Sequence, residues 1–222
     1  MGLRELKKEQ TRQHIADTAF RLFADRDFDR VTVAEIAREA QVAEATVFNY
    51  FASKEDLFYW PLEAFGARLA DAVSARPAGE PVLAAFRRAL LAEDGLLAQV
   101  EAGDAQALGR LRTINRVISG SPALLAREQQ AFTRNADALA ALLATETGAP
   151  PGDLRPQVAA NALLGVHRAL IDYIRGRFLS GDELSGLAAE VRKLTADAFA
   201  LLEHGLGDYA AQPAAQGQSL TP

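Results

Sequence analysis

Three histidines, His14, His167 and His204, stand far apart in the chain, with no HExxH pair, nucleophile elbow, phosphate-binding loop or glycine-rich nucleotide signature around any of them. There is no cysteine, which excludes a disulfide framework, a thiol switch and cysteine-ligated zinc or iron–sulfur. No catalytic set, metal site or cofactor motif emerges. The stretch whose residue types suggest a different chemistry is AEATVFNYFASKEDLF, residues 43–58. On a helix turning about 100° per residue, Val47, Phe48 and Phe51 fall within one arc, whereas Ala45, Thr46, Asn49 and Tyr50 follow one another around the other. The spacing predicts a packing face and a face free to touch a partner.

Composition narrows the partner. With 222 residues, 49% apolar and 24% charged, the chain is an ordinary globular one with room for a sizeable core. Residues 1–9 are charged without an apolar run, and no stretch approaches the roughly 20 apolar residues that span a bilayer. The expectation is therefore a cytoplasmic protein with no membrane partner. A formal net charge of -5 argues against a generally basic coat, so any nucleic-acid contact must come from a local patch, helix dipoles or backbone amides.

A short helix of this kind needs a scaffold, and the scaffold reads as helical almost throughout. Ile15, Ala19, Leu22 and Phe23 recur at helical spacing, predicting a helix over about residues 5–26, with Phe28 and Val31 closing a small core. Asp27 is expected to supply a left-handed exit. Thr32-Val33-Ala34-Glu35 is a capping box opening a helix to about Ala40. Gln41-Val42-Ala43 makes a turn, and Ser53-Lys54-Glu55-Asp56 caps a long helix through Leu57, Trp60, Leu62 and Leu69. Beyond the break at Pro77-Ala78-Gly79-Glu80-Pro81, segments delimited by Asp104, Gly120-Ser121-Pro122, Gly148 to Gly152 and Ser180-Gly181-Asp182 predict about five more helices. The class is all-α. The expected division is residues 1–53, residues 54–206, and a flexible tail over residues 207–222 whose Ala, Gln, Gly, Ser and Pro cannot bury enough apolar surface.

Taken together in register, Thr11-Arg12-Gln13-His14-Ile15-Ala16-Asp17-Thr18-Ala19-Phe20-Arg21-Leu22-Phe23, Val31 to Ala37, Val42 to Phe51 and Lys54-Glu55-Asp56-Leu57 resemble the DNA-binding domain of the TetR family of transcriptional regulators. The resemblance covers about the first sixty residues. It implies an N-terminal three-helix helix-turn-helix unit, a helical effector-binding and dimerisation domain, and a homodimer that binds a palindromic operator in double-stranded DNA, most often as a repressor. It places Glu44, Ala45, Thr46, Asn49 and Tyr50 toward the major groove, with Asn49 suited to pair with adenine. Thr32 and Lys54, each at a helix start, are then phosphate ligands. Without the resemblance, Thr32 is a structural cap and Lys54 a solvated charge. Glycine is usual in the family where this chain has Asp27 and Gln41, and serine where it has Ala43. The turn should therefore be slightly strained and its helix poorly capped, by about 1 kcal/mol.

The C-terminal part resembles, loosely, the subgroup with an acyl-CoA-like ligand domain, so a largely apolar small-molecule effector is expected. Polar side chains set among apolar helix are the candidate anchors: Arg112, Asn115, Arg116, Phe132, Asn135, Asn161, His167 and Tyr173. Leu184, Leu187, Val191, Leu194, Ala198 and Leu201 form a narrow stripe, and the preceding segment carries small residues. Both stripes could serve the chain's own core, but together at the end of the chain they point to a two-fold interface. A DNA-binding dimer without an effector, and a helical ligand-binding protein or enzyme not using DNA, are the alternative readings.

Overall fold

Hydroxyl and carboxylate side chains start four of the helices. Thr32 Oγ1 accepts from Glu35 N at 3.2 Å, Ser53 Oγ from Asp56 N at 3.0 Å, Asp104 Oδ1 from Gln106 N at 2.8 Å, and Ser121 Oγ from Leu124 N at 3.4 Å. Each satisfies a backbone donor that the first helical turn leaves without a partner. The computed structural model describes residues 2–92, 96–181 and 184–205. Its elements are α1 (Leu3–Asp25), a short 3-10 turn (Phe28–Arg30), α2 (Val33–Glu39), α3 (Glu44–Tyr50), α4 (Lys54–Ser74), α5 (Val82–Leu90), α6 (Leu96–Glu101), α7 (Ala105–Ser119), α8 (Pro122–Thr147), α9 (Arg155–Leu179) and α10 (Leu187–His204). The protein is all-α, with no strand among the described residues. The expected tail over residues 207–222 and the turn residue Asp182 lie outside the described residues.

The helix boundaries follow the expected breaks, with three differences. Asp27 is extended, at φ −60° and ψ 141°, and Arg26 before it is extended as well, so α1 ends without a left-handed residue. The 3-10 turn supplies the change of direction instead. The expected helical segment between Pro81 and Asp104 holds two helices, α5 and the six-residue α6. Leu184 precedes α10 rather than lying on it, because Gly186 at φ +77° interrupts the chain there.

Two cores result. The first gathers Ile15, Phe23, Phe28, Ile36, Val47, Phe51, Leu57 and Phe58, together with Val117 and Ile118 of α7. The second gathers Leu69, Val73, Phe86, Leu139, Leu163, Val191 and Phe199. Helix α4 serves both, its first turns in one core and its last turns in the other. Pro61 inside α4 contributes no N–H to the helix ladder between the two. At Gly66 the approach of α8 is so close that a Cβ would stand 2.4 Å from Asn135 Nδ2, which places Asn135 in helix packing.

The stripe on α10 turns into the second core. Leu187 and Val191 are buried, and Leu184, Leu194 and Ala198 pack against the same cluster. The helix partners this seam wanted are those of its own chain. Of the α9 stripe of Val158, Ala162, Val166, Ala169 and Tyr173, Val158 and Ala169 face outward, Val158 with 64% of its surface exposed, whereas Ala162 and Tyr173 are half-buried and Val166 is buried.

Candidate nucleic-acid interface

Helix α3 is held from below. Val47 is 1% exposed and Phe51, just past the helix end, is 3% exposed, while Thr46 and Tyr50 are half-buried at the edges. Arg12 of α1 places its guanidinium 5.3 Å from the Phe51 ring centroid and 4.9 Å from that of Trp60, and the two rings meet edge to face at 6.1 Å. The His14 Nε2 lies 3.2 Å from the Ala40 carbonyl, tying α1 to the end of α2. What α3 shows to solvent is Glu44, Ala45, Phe48 and Asn49.

Phe48 corrects the sequence reading, which placed it on the packing face. It is 50% exposed. The buried arc centres on Val47, Tyr50 and Phe51, and Phe48 lies about 100° from Val47, outside that arc and beside Ala45 and Asn49. The exposed face is thus an apolar ring flanked by an amide and a methyl group.

The turn before α3 is built as the departures from glycine and serine suggested. Gln41 adopts φ +56°, its N–H bonds to Arg38 O at 3.2 Å, and Val42 N–H bonds to Ala37 O at 3.0 Å. These are the paired bonds of a Schellman helix end, made with glutamine in the left-handed position where glycine fits without penalty. Ala43 gives α3 no side-chain cap.

Two of the expected phosphate ligands are committed elsewhere. The Lys54 ammonium donates to Phe28 O at 2.9 Å and Val31 O at 3.1 Å and sits 4.3 Å from the Phe28 ring centroid. It closes the end of the 3-10 turn instead of standing as a free charge. Thr32 Oγ1 donates to Glu35 Oε2 at 3.0 Å, and Thr32 N–H donates to the same oxygen at 2.9 Å. Hydrogen bonds from the Thr32 backbone, then from Arg26 and the Thr32 hydroxyl, hold the Glu35 carboxyl at about 2. Thr32 is a cap locked by its own glutamate.

Comparison with known proteins bears on this geometry directly. Residues 15–59 match the family described as "Bacterial regulatory proteins, tetR family", and residues 80–207 match the "MftR C-terminal domain". The chain is 30% identical over 172 residues to the HTH-type transcriptional regulator TcmR of Streptomyces glaucescens, covering 76% of this chain and 75% of that one. The chain belongs to the TetR family. It is also 30% identical over 186 residues to the Mycobacterium tuberculosis regulator MftR, whose name ties it to mycofactocin biosynthesis, covering 83% of this chain and 90% of that one. Among solved structures, NalD of Pseudomonas aeruginosa shares the fold at a TM-score of 0.56 and 20% identity, over 86% of this chain and 96% of that one. This TetR-family chain is a DNA-binding transcriptional regulator, not an enzyme. Among the described residues no helix is long and apolar enough to cross a membrane.

In the C-terminal half of this TetR-family regulator, the expected anchors do not converge. Arg112 and Arg116 line a small cleft of about 290 Å³ with Phe178, and Arg116 Nη2 donates to Ala24 O at 2.6 Å, bracing α7 against α1. Asn115 is buried and donates to Leu111 O at 2.8 Å. Phe132 meets the buried His167 ring edge-on at 5.5 Å, and burial lowers the His167 pKa to about 4. Asn161 is exposed, and the Tyr173 hydroxyl receives an N–H of Arg177 at 3.1 Å. Only Phe132 with His167, and Arg112 with Arg116, are brought together.

The larger cleft lies at the other end of the bundle. About 550 Å³ is enclosed by α5, the end of α8, the start of α9 and Leu202 of α10, with Val82, Leu83, Leu143, Pro156 and Leu163 among its walls. None of these apolar residues stood out as an anchor. The Gly148 to Gly152 break, whose Gly148, Ala149 and Pro150 line the cleft, is the one sequence signal that marks the place. Polar ties run between the halves: Arg127 on α8 bonds Asp56 on α4 at 2.8 Å and also Glu63, and Arg134 bonds Glu63 at 2.7 Å.

Proposed function

We propose that this regulator is a ligand-responsive repressor that binds a palindromic operator as a homodimer in the cytoplasm and is released by a small, largely apolar effector. The observation that carries the reading is the exposed Ala45, Phe48 and Asn49 face of α3, presented by a helix anchored through Val47 and Phe51. On this reading Asn49 pairs with adenine, Phe48 meets a thymine methyl, and Glu44 and Thr46 border the contact. Residues 1–53 carry the reading of DNA. Residues 54–206 carry effector binding and pairing.

The α10 seam is used internally, so the pairing face is the outward side of α9. Val158, Gly165, Ala169 and Gly176 are exposed there, and nothing lies within 4 Å of a Cβ placed on either glycine. Small residues of this kind let two helices approach closely, and a two-fold pair would set two α3 helices against half-sites one or more turns apart. The cleft of about 550 Å³ falls in the range of small-ligand sites and has apolar walls suited to an acyl chain. Arg155 at its edge is paired with Asp153 at 2.6 Å, so an anionic remainder would have to share that guanidinium; acyl-CoA thioesters are the first ligands to test. Binding there would reach α3 through α4, which enters both cores and is tied to α8 by Arg127. A coupling of about 1 to 3 kcal/mol is ordinary for such a link.

One titration tests the reading. A duplex recovered by the protein from a randomised pool is bound, and acyl-CoA thioesters of increasing chain length are added while anisotropy and sedimentation are followed. The reading expects a dimer on DNA, release by long chains, and an effector affinity weakened by DNA by the same factor as DNA affinity is weakened by effector. Equal effector affinity for free and DNA-bound protein contradicts it.

A further inference from the structure

We infer that the first turns of α1 form a second DNA contact, in which Arg4, Lys7 and Lys8 engage the phosphate backbone flanking each half-site; this rests on the DNA-binding reading above. Residues 1–53 carry eight Lys and Arg against nine Asp and Glu, so the reading domain has no overall positive charge to hold DNA. Five of the eight cations are already engaged. Arg12 stacks on Phe51 and Trp60, and Arg21 donates to Thr18 Oγ1 at 3.2 Å. Arg26 pairs with Glu35 at 3.1 Å, Arg30 with Asp27 at 3.6 Å and Arg38 with Glu39 at 4.0 Å. Among the described residues, the side chains of Arg4, Lys7 and Lys8 have no hydrogen-bond or ion-pair partner.

Their placement turns three loose charges into a surface. At positions i, i+3 and i+4 they share one face of α1, while Glu5 and Glu9 stand about 100° or more from the centre of that face, Glu5 at its border beside Lys8. Glu5 is turned back to the helix start, accepting from Gly2 N–H at 2.9 Å. Residues 2–10 are exposed throughout, so this extension of α1 contributes nothing to the first core. Its direction is set by two contacts. Arg26 lies beside Glu35 at the start of α2, and His14 beside Ala40 at its end, so α1 runs antiparallel to α2. Past His14 it continues for about 15 Å over ten residues, beyond the turn that leads into α3. A cationic helix face next to the reading helix, in an acidic chain, is complementary to the backbone of the same duplex.

The test uses full-length protein and a duplex recovered by that protein from a randomised pool, extended or trimmed outside the half-sites. Arg4→Ala, Lys7→Ala and Lys8→Ala together should lower the slope of log affinity against log salt by about 0.9 for each phosphate no longer neutralised, hence about 2.7 per protomer. Sequence preference and melting temperature should stay as in the wild type. Trimming the flanks should weaken the wild type and leave the triple variant unchanged, and Arg4→Lys with Lys7→Arg and Lys8→Arg should restore both the slope and the flank effect. An unchanged slope in the alanine variant, or equal sensitivity to trimming, overturns the arm contact while leaving operator binding intact. A wild type that selects no duplex at all overturns both.

Discussion

The two cores differ in what fills them. The first is a cluster of rings: Phe23 lies 4.9 Å from Phe28 and 5.8 Å from Phe58, Phe28 lies 6.3 Å from Phe58, and Phe51 lies 6.1 Å from Trp60. Rings have few torsions and preferred mutual angles, so they fix α1, α3 and the start of α4 in one arrangement. The second is mostly Leu, Val and Ala on long helices, with the tilted pair Phe86 and Phe199 at 6.4 Å and a cleft of about 550 Å³ beside it. A reader of DNA must hold its side chains still. A receptor for small molecules must let helices give way, and the unfilled aliphatic packing provides that freedom.

The largest effect that sharpens this comparison comes from removing one ring. Phe51→Ala should cost about 3 to 5 kcal/mol, because Arg12 and Trp60 each lose one ring contact and rigid neighbours cannot close the void. Leu163→Ala, on the cleft wall, should stay near 2 kcal/mol, since the site can relax. Denaturant melts of both variants measure this, and equal costs would break the contrast.

Acid should separate the halves next. His167 is neutral in the fold with its pKa lowered to about 4, so an unfolded chain takes up the proton first as pH falls below about 6.5. Stability is therefore lost between about pH 6.5 and 4, by about 3 kcal/mol in all. His167→Gln should flatten that window. Glu35 works in the same sense in a lower window: its carboxyl is lowered from 4.5 to about 2, so its stabilisation is present above pH 4.5 and fades as pH falls toward 2. A wild type whose melting temperature is level from pH 6.5 to 4 contradicts the buried, neutral imidazole.

Lys54→Ala removes two charge-assisted bonds to Phe28 O and Val31 O and should cost about 2 kcal/mol. The salt dependence of DNA binding should not move, and a slope lowered by about one unit would return Lys54 to the phosphate. The smallest effect is a gain. Gln41→Gly should stabilise by about 1 kcal/mol, since φ +56° costs glutamine what it does not cost glycine. Melting curves check it, and a loss of stability would show that the glutamine side chain offsets the strain of its backbone.

Where local chemistry decides, the sequence was readable. The capping box at Thr32, the Ser53 cap, the Gln41 turn and the uncapped Ala43 each depend on residues within four positions, and each stands in the structure as its residue types require. Phe48 escaped because helical periodicity gives an arc but not its centre; only the packing of Tyr50 and Phe51 sets that. Lys54 escaped because its acceptors lie 26 and 23 residues earlier. In the bundle nearly everything is of this second kind. The α10 stripe was visible, yet whether it faced its own core or a partner rested on where α5, α6 and α9 came to lie. The cleft is lined by apolar residues from four helices, with no pattern along the chain to announce it.

The claim that the anchored α3 face reads bases is tested most directly by a binding selection on randomised half-sites, run at two salt concentrations with wild type, Asn49→Ala and Phe48→Ala. The account predicts that Asn49→Ala costs about 1 to 3 kcal/mol on the best duplex and relaxes preference at one position of each half-site, with non-specific DNA held as before. Phe48→Ala should relax a different position, at a thymine. An Asn49→Ala protein that selects the same sequences as the wild type, at both salt concentrations, would contradict it.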